Sequence, residues 1–197
     1  MQSALVSADR LLEEGRNRVG RLRASELTSD NLVSGFKAVA AELNDEKHVQ
    51  FDVQFDLRCE GPLSEVNPTV LGELYFIGCE AISNAFRHSH ASEITVRLEC
   101  LPKVVILAVS DNGVGFDWEA YKRTPNAEHW GVYGMQERAQ VMHATIRFSG
   151  TPNIGTEIVI TVPARRAYKK GGALRSIATD NDAVMPLRDS SVQSTEQ

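Results

Sequence analysis

The sharpest chemical signal in this sequence is an acid at the end of a buried strand, followed by two glycines. The apolar run Val104–Val109 is short and rich in Val and Ile, and Asp111-Asn112-Gly113-Val114-Gly115-Phe116 follows it directly. A run of that kind reads as a strand buried in a core. Glycine can take φ > 0 and lets the backbone approach a ligand without a Cβ in the way. Two readings stand at this point: a tight Asp-Asn-Gly turn, or a loop that closes over whatever Asp111 holds.

A second group lies upstream. Glu80, Asn84 and His88 recur at i, i+4 and i+8, so a helix would set a carboxylate, an amide and an imidazole in one line. Those types suit a base, a metal-binding oxygen and a phosphate contact, whereas the ordinary meaning of such a stripe is a solvated face. A third group is Gly131-Val132-Tyr133-Gly134-Met135. Glycines just ahead of a helix would leave N–H groups facing an anion, favoured by the helix dipole. A helix entry that merely needs flexibility would look the same.

The elements around these residues follow from periodicity. Asn67-Pro68 supplies an N-cap and a first-turn proline for a helix running to about Ser89. On it Leu74, Tyr75, Ala81, Ile82, Ala85 and Phe86 share the face to be buried. Glu73, Glu80, Asn84, Arg87 and His88 take the opposite side, with Ile77 as an apolar intruder. Strict alternation predicts a strand over Val49–Leu57. Ile94, Val96 and Leu98 predict a second strand, joined through Leu101-Pro102-Lys103 to Val104–Val109 as a hairpin. Met135, Ala139 and Met142 mark one side of a later helix. Ile146 with Phe148, then Ile158, Ile160 and Val162, mark two last strands around an Asn153-Ile154-Gly155 turn, ending at Pro163.

At the N-terminus Leu5, Ala8, Leu12, Val19 and Leu22 occupy a and d positions of a heptad, a narrow seam made to meet another helix. Thr28-Ser29-Asp30-Asn31 offers caps for a second helix carrying Leu32, Phe36, Val39, Ala40 and Leu43. Beyond Ala164 the pattern collapses into a basic, then Ser/Thr/Asp-rich stretch, read as a disordered tail over 165–197. Strands interleaved with helices and joined partly by hairpins predict an α+β fold. It would be a two-layer sandwich of a mixed sheet with helices on one face, plus N-terminal helices.

Composition narrows the function. The 197 residues carry a net charge of −5, which gives no general attraction to nucleic acid or to an anionic membrane. No apolar stretch approaches the ~20 residues of a membrane span. The three cysteines, Cys59, Cys79 and Cys100, have no metal-ligand spacing and imply a reducing, cytoplasmic setting, with room for a membrane anchor in a longer protein.

The ordered set Glu80-x-x-x-Asn84-Ala85-x-x-His88, Asp111-x-Gly113-x-Gly115-Phe116, Gly131-x-x-Gly134-Met135 and Gly155-Thr156 resembles the ATP-binding domain of sensor histidine kinases, the GHKL or Bergerat fold. The run from Gly131 straight into Met135-Gln136-Glu137-Arg138-Ala139 is similar to the subfamily that pairs with LuxR-type response regulators. The resemblance implies ATP and Mg²⁺ as cofactors. It implies that Asp111 accepts a hydrogen bond from the adenine amino group with Thr156 beside it, and that Gly113 and Gly115 close the loop. Asn84 would ligate Mg²⁺; Arg87 and His88 would lie near the phosphates; Gly131, Gly134 and Met135 would seat them; Glu80 would be the base. It divides the chain into the end of a dimerisation domain (1–27), the catalytic domain (28–164) and the tail, with a short lid between Asp117 and Trp130.

One departure matters. The histidines are His48, His88, His90, His129 and His143, and none lies on a first dimerisation helix. The implied reaction therefore transfers the γ-phosphoryl to a histidine outside this chain, and the chain alone would be incompetent. The implied partners are that phosphoacceptor domain, a LuxR-type regulator and, through the seam, a second copy. The competing class is an anti-sigma-factor-like serine kinase of the same fold, which needs no such seam.

Overall fold

The computed structural model describes residues 29–46, 53–116 and 130–169. The seam at Leu5–Leu22, the start of the predicted first strand at Val49 and Phe51, the lid between Asp117 and Trp130, and the chain from 170 onward lie outside them. In order the elements are α1 (Ser29–Glu46), β1 (Gln54–Glu60), a 3-10 turn, α2 (Pro68–His88), β2 (Glu93–Cys100), β3 (Val104–Asp111), α3 (Trp130–Val141), β4 (Thr145–Thr151), β5 (Gly155–Pro163) and the single-turn α4 (Ala164–Ala167).

The five strands form one sheet in the order β1-β2-β3-β5-β4. β1 and β2 run parallel because the α2 crossover carries the chain back before β2 starts, while the other neighbours are antiparallel. The predicted β2–β3 hairpin is present, closed by reciprocal backbone bonds between Leu101 and Val104. Alternation decides the faces. Ile94, Val96, Leu98 and Cys100 of β2, with Val105, Leu107 and Val109 of β3, are buried under the helices. The other face carries a row across the sheet, Arg58, Arg97, Ala108, Val159 and Arg147. Its arginines pair with Asp56, Glu99 and Glu157, while Ala108 at the centre of the row is buried.

α2 forms as its sequence dictates. Asn67 caps it, its side chain accepting from Thr69 N at 3.0 Å, and Pro68 opens the first turn. Gly78 lets α1 sit close, since a Cβ there would strike the Phe36 ring, and Phe36 stacks on Tyr75 with centroids 5.8 Å apart. Ile77, expected on the polar side, is fully buried. α2 is central in the helical layer, packed against α1, α3 and the sheet, so its buried arc is wider than one face.

Two boundaries differ from expectation. β1 is Gln54–Glu60 rather than ending at Leu57, because its ladder with β2 continues to Glu60 opposite Glu99. The ordered fold also runs past Ala164, the expected end of the domain. Ala167 and Tyr168 are buried, Ala167 accepts from Asn67 N at 2.7 Å, and the Tyr168 hydroxyl donates to the Leu101 carbonyl at 2.7 Å. The exposed Arg165 and Arg166 hide this stitching from a composition argument. Among the described residues no helix is long and apolar enough to cross a membrane.

Candidate functional site

β3 delivers Asp111 to the end of the sheet, where the register places it opposite Thr156 of β5. Its carboxylate accepts from Gly113 N at 2.9 Å and from the backbone N–H and hydroxyl of Thr156. Burial pushes the carboxyl above its ordinary value of 3.8, and those three donors pull the other way. A half-buried carboxylate steered by three donors still has acceptor capacity for an exocyclic amine, whereas a ligand presenting a carbonyl there would bring no proton to share.

The loop after Asp111 is fastened on two sides. Asn112 Oδ1 accepts from Ser92 N and Glu93 N, each at 3.0 Å, and its Nδ2 donates to Ser92 Oγ. Val114 N donates to the Ser89 carbonyl at 2.8 Å, and a Cβ on Gly113 would run into that same carbonyl. Gly115 has φ +62°, and a Cβ there would strike the carbonyl of Thr151 in the β4–β5 hairpin. Gly155 has φ +129° and lies against the Asp111 carbonyl. Both positions need glycine for conformation and for space.

The stripe on α2 is not a solvated face. Glu80 and Asn84 are partly buried toward α3, and Asn84 Nδ2 donates to Glu80 Oε1 at 3.3 Å. That bond turns Asn84 Oδ1 away from the carboxylate and leaves it as an oxygen donor. Arg87 and His88, one turn further, are exposed. α3 closes on this stripe through Gly131, where a Cβ would strike Glu80 Oε1. The helix starts at Trp130, so Gly131 and Gly134 lie inside its first turns and not ahead of it as expected. Close packing on Glu80 is what Gly131 serves here. Among the described residues, the neighbouring backbone of its own helix aside, nothing lies within 4 Å of a Cβ added at Gly134. Met135, grouped with them from sequence, is buried in the core with Ala139 and Met142. Consecutive helical positions point about 100° apart, so neighbours in sequence serve different faces.

The structure thus gathers two sets: Asp111, Gly113, Gly115 and Thr156 at the strand ends, and Glu80, Asn84 and Gly131 between α2 and α3. Ser89 joins them. It follows His88, and its hydroxyl donates to Ala85 O at 2.6 Å while its carbonyl backs the Asp111 loop. No sequence pattern singles out Ser89. The partnership of Glu73 with Arg138, 65 residues apart, is equally invisible in sequence. Among the described residues no cluster of three or more His, Cys, Asp or Glu could cage a metal. Burial pushes the Cys79 and Cys100 thiols up to about 12 and about 11, which leaves them protonated at neutral pH and unsuited to nucleophilic work.

Residues 71–166 match the family described as histidine kinase-, DNA gyrase B-, and HSP90-like ATPase. This part of the chain therefore is a GHKL-type ATP-binding domain of the histidine-kinase kind. The chain is 35% identical over 113 residues to the signal transduction histidine-protein kinase/phosphatase DegS of Bacillus subtilis (strain 168), covering 56% of this chain and 29% of that protein. It is 30% identical over 159 residues to the oxygen sensor histidine kinase NreB of Staphylococcus carnosus (strain TM300), covering 78% and 42% respectively. The chain thus spans less than half the length of these relatives. In fold it is similar to the Erythrobacter litoralis EL346 blue-light activated histidine kinase, with a TM-score of 0.59 at 16% identity over 79% of this chain and 49% of that one.

Proposed function

We propose that this chain is the catalytic part of a longer, cytoplasmic sensor kinase that uses Mg-ATP to phosphorylate a histidine outside it, within a dimerisation domain whose C-terminal remnant is residues 1–27. The observation that carries the proposal is the bonded Glu80–Asn84 pair pressed against the first turn of α3. A base, an oxygen donor and a helix N-terminus meet there.

The roles follow from the chemistry. Asp111 selects the base, assisted by Thr156, and the loop carrying Gly113 and Gly115 covers it. The Oδ1 of Asn84 suits Mg²⁺, which takes few protein oxygens and keeps water and phosphate oxygens as its other ligands. When bound, the metal neutralises charge on the phosphates. The first N–H groups of a helix have no carbonyl one turn earlier within it, so the start of α3 suits phosphate oxygens. Arg87 and His88, exposed on the last turn of α2, would supply further contacts to the phosphates. Glu80 accepts the proton of the attacking nitrogen. Positioning and charge neutralisation are most of what phosphoryl transfer asks of a protein. The Met135–Ala139 run supports a LuxR-type regulator as the downstream partner of the whole kinase, and the seam at Leu5–Leu22 supports a homodimer.

The test is reconstitution. Mixed with a cognate dimerisation domain and Mg-ATP, the chain should yield acid-labile phosphohistidine. Glu80→Gln should abolish transfer while ATP still binds, and chelating Mg²⁺ should stop it. Absence of transfer by the wild type, or transfer untouched by Glu80→Gln, would sink the proposal.

A further inference from the structure

α3 lies antiparallel on α2, and two contacts fix it there. Gly131 rests on Glu80; Arg138, seven residues later, bonds Glu73, seven residues earlier. Seven residues are about two turns, roughly 10 Å along each axis. The second contact is therefore a second pin on the same seam. Arg138 Nη1 lies 2.9 Å from Glu73 Oε2, with side chains only 15% and 20% exposed, and the guanidinium stands 4.3 Å over the Phe76 ring. Glu73 and Phe76 are one turn apart on α2, so a carboxylate and an aromatic face grip one planar cation from two directions.

The apolar anchors here include Met135 and Ala139 of α3 and Met142 just after it, with Val132 partly buried against the same core. Unbranched thioethers adapt to many gaps, so they fill the seam without fixing where along it the helix stops. A directional, largely buried ion pair does fix it, the best-attested use of buried charge. A slip of one residue moves α3 by about 1.5 Å and brings a side chain against Glu80 where Gly131 now lies.

We propose that Arg138 is a positioning residue: with Glu73 and Phe76 it sets the register of α3 on α2, and thereby the distance between the Glu80 carboxylate and the phosphate-facing first turn of α3. This rests on the nucleotide reading above. It separates the two halves of the ligand, because the Asp111 end is held by other bonds entirely.

The experiment is calorimetry with Mg-ATP and with adenosine on the whole chain. Arg138→Met together with Glu73→Gln removes the ion pair but keeps volume and an aromatic contact. It should weaken ATP by about tenfold or more and leave adenosine within about twofold. Arg138→Lys, which keeps the charge but loses the planar stack, should fall between. Equal losses for both ligands, or no loss for either, would overturn the clamp while leaving the nucleotide site standing. Failure of the wild type to bind ATP would overturn the nucleotide reading itself.

Discussion

At the strand end of the site Asp111 is held by cross-strand pairing with Thr156, a backbone bond from Gly113 and a loop anchored on Ser89. At the helix end α3 touches α2 through a glycine, an ion pair and adaptable methionines. A backbone ladder, locked by short side-chain bonds, holds the first, and side chains alone hold the second. Backbone ladders cannot shift by less than a full register, whereas side-chain contacts between helices give way gradually. The fold is therefore committed to the strand end, proposed to read the base, and the helix end, proposed to hold the phosphates, is tunable without unfolding it.

The largest effect expected from that contrast is at Asp111. Asp111→Asn keeps an acceptor for Gly113 but loses the charge-assisted bond to the base, so ATP affinity should fall about a hundredfold. Stability should not fall with it. Burial raises this carboxyl above 3.8, so the folded state holds its proton more tightly than the unfolded chain. The group's contribution to stability is full below the unfolded value and is lost as pH rises through the folded value. Removing the charge at neutral pH should leave the melting temperature unchanged or higher. ATP affinity should move oppositely, dropping as acid protonates Asp111. Melts and titrations between pH 4 and 7 on both proteins check this, and a destabilised Asp111→Asn would break the comparison.

Next comes Gly115→Ala. At φ +62° against the Thr151 carbonyl, an alanine has neither conformation nor room. The cost should be about 2 kcal/mol, roughly 6 °C in melting temperature, with ATP binding lost in parallel because the hairpin and the loop move together. Thermal denaturation with and without ATP reads both.

The unequal legibility of the two ends has the same origin. Val104–Val109 announces a buried strand, and Asp111-Asn112-Gly113 a loop that closes on its own backbone, so local residues encode the strand end almost completely. Asn67-Pro68 likewise announces the start of α2. The helix end depends on what meets across the fold. Nothing near Glu73 in sequence names Arg138, Ser89 has no pattern around it, and Ile77 looked misplaced because periodicity describes one buried face while α2 is covered on several. Tyr168 is hidden from sequence because two exposed arginines outweigh one buried ring in any composition window.

Gly134→Ala is the smallest and sharpest test. Gly134 lies inside α3, and an added Cβ meets nothing within 4 Å among the described residues outside its own helix. Alanine is about 1 kcal/mol better than glycine in a helix interior, so the melting temperature should rise by roughly 2–4 °C. The same open space is where the phosphates are proposed to lie, so the methyl should weaken ATP by about threefold and leave adenosine alone. Differential scanning calorimetry and paired titrations measure the two effects on one protein. A rise in stability with ATP unchanged would put the phosphates nearer Gly131, leaving α3 tunable but Gly134 unused. A fall in stability would show the helix end built as rigidly as the strand end, and the contrast between them would not survive.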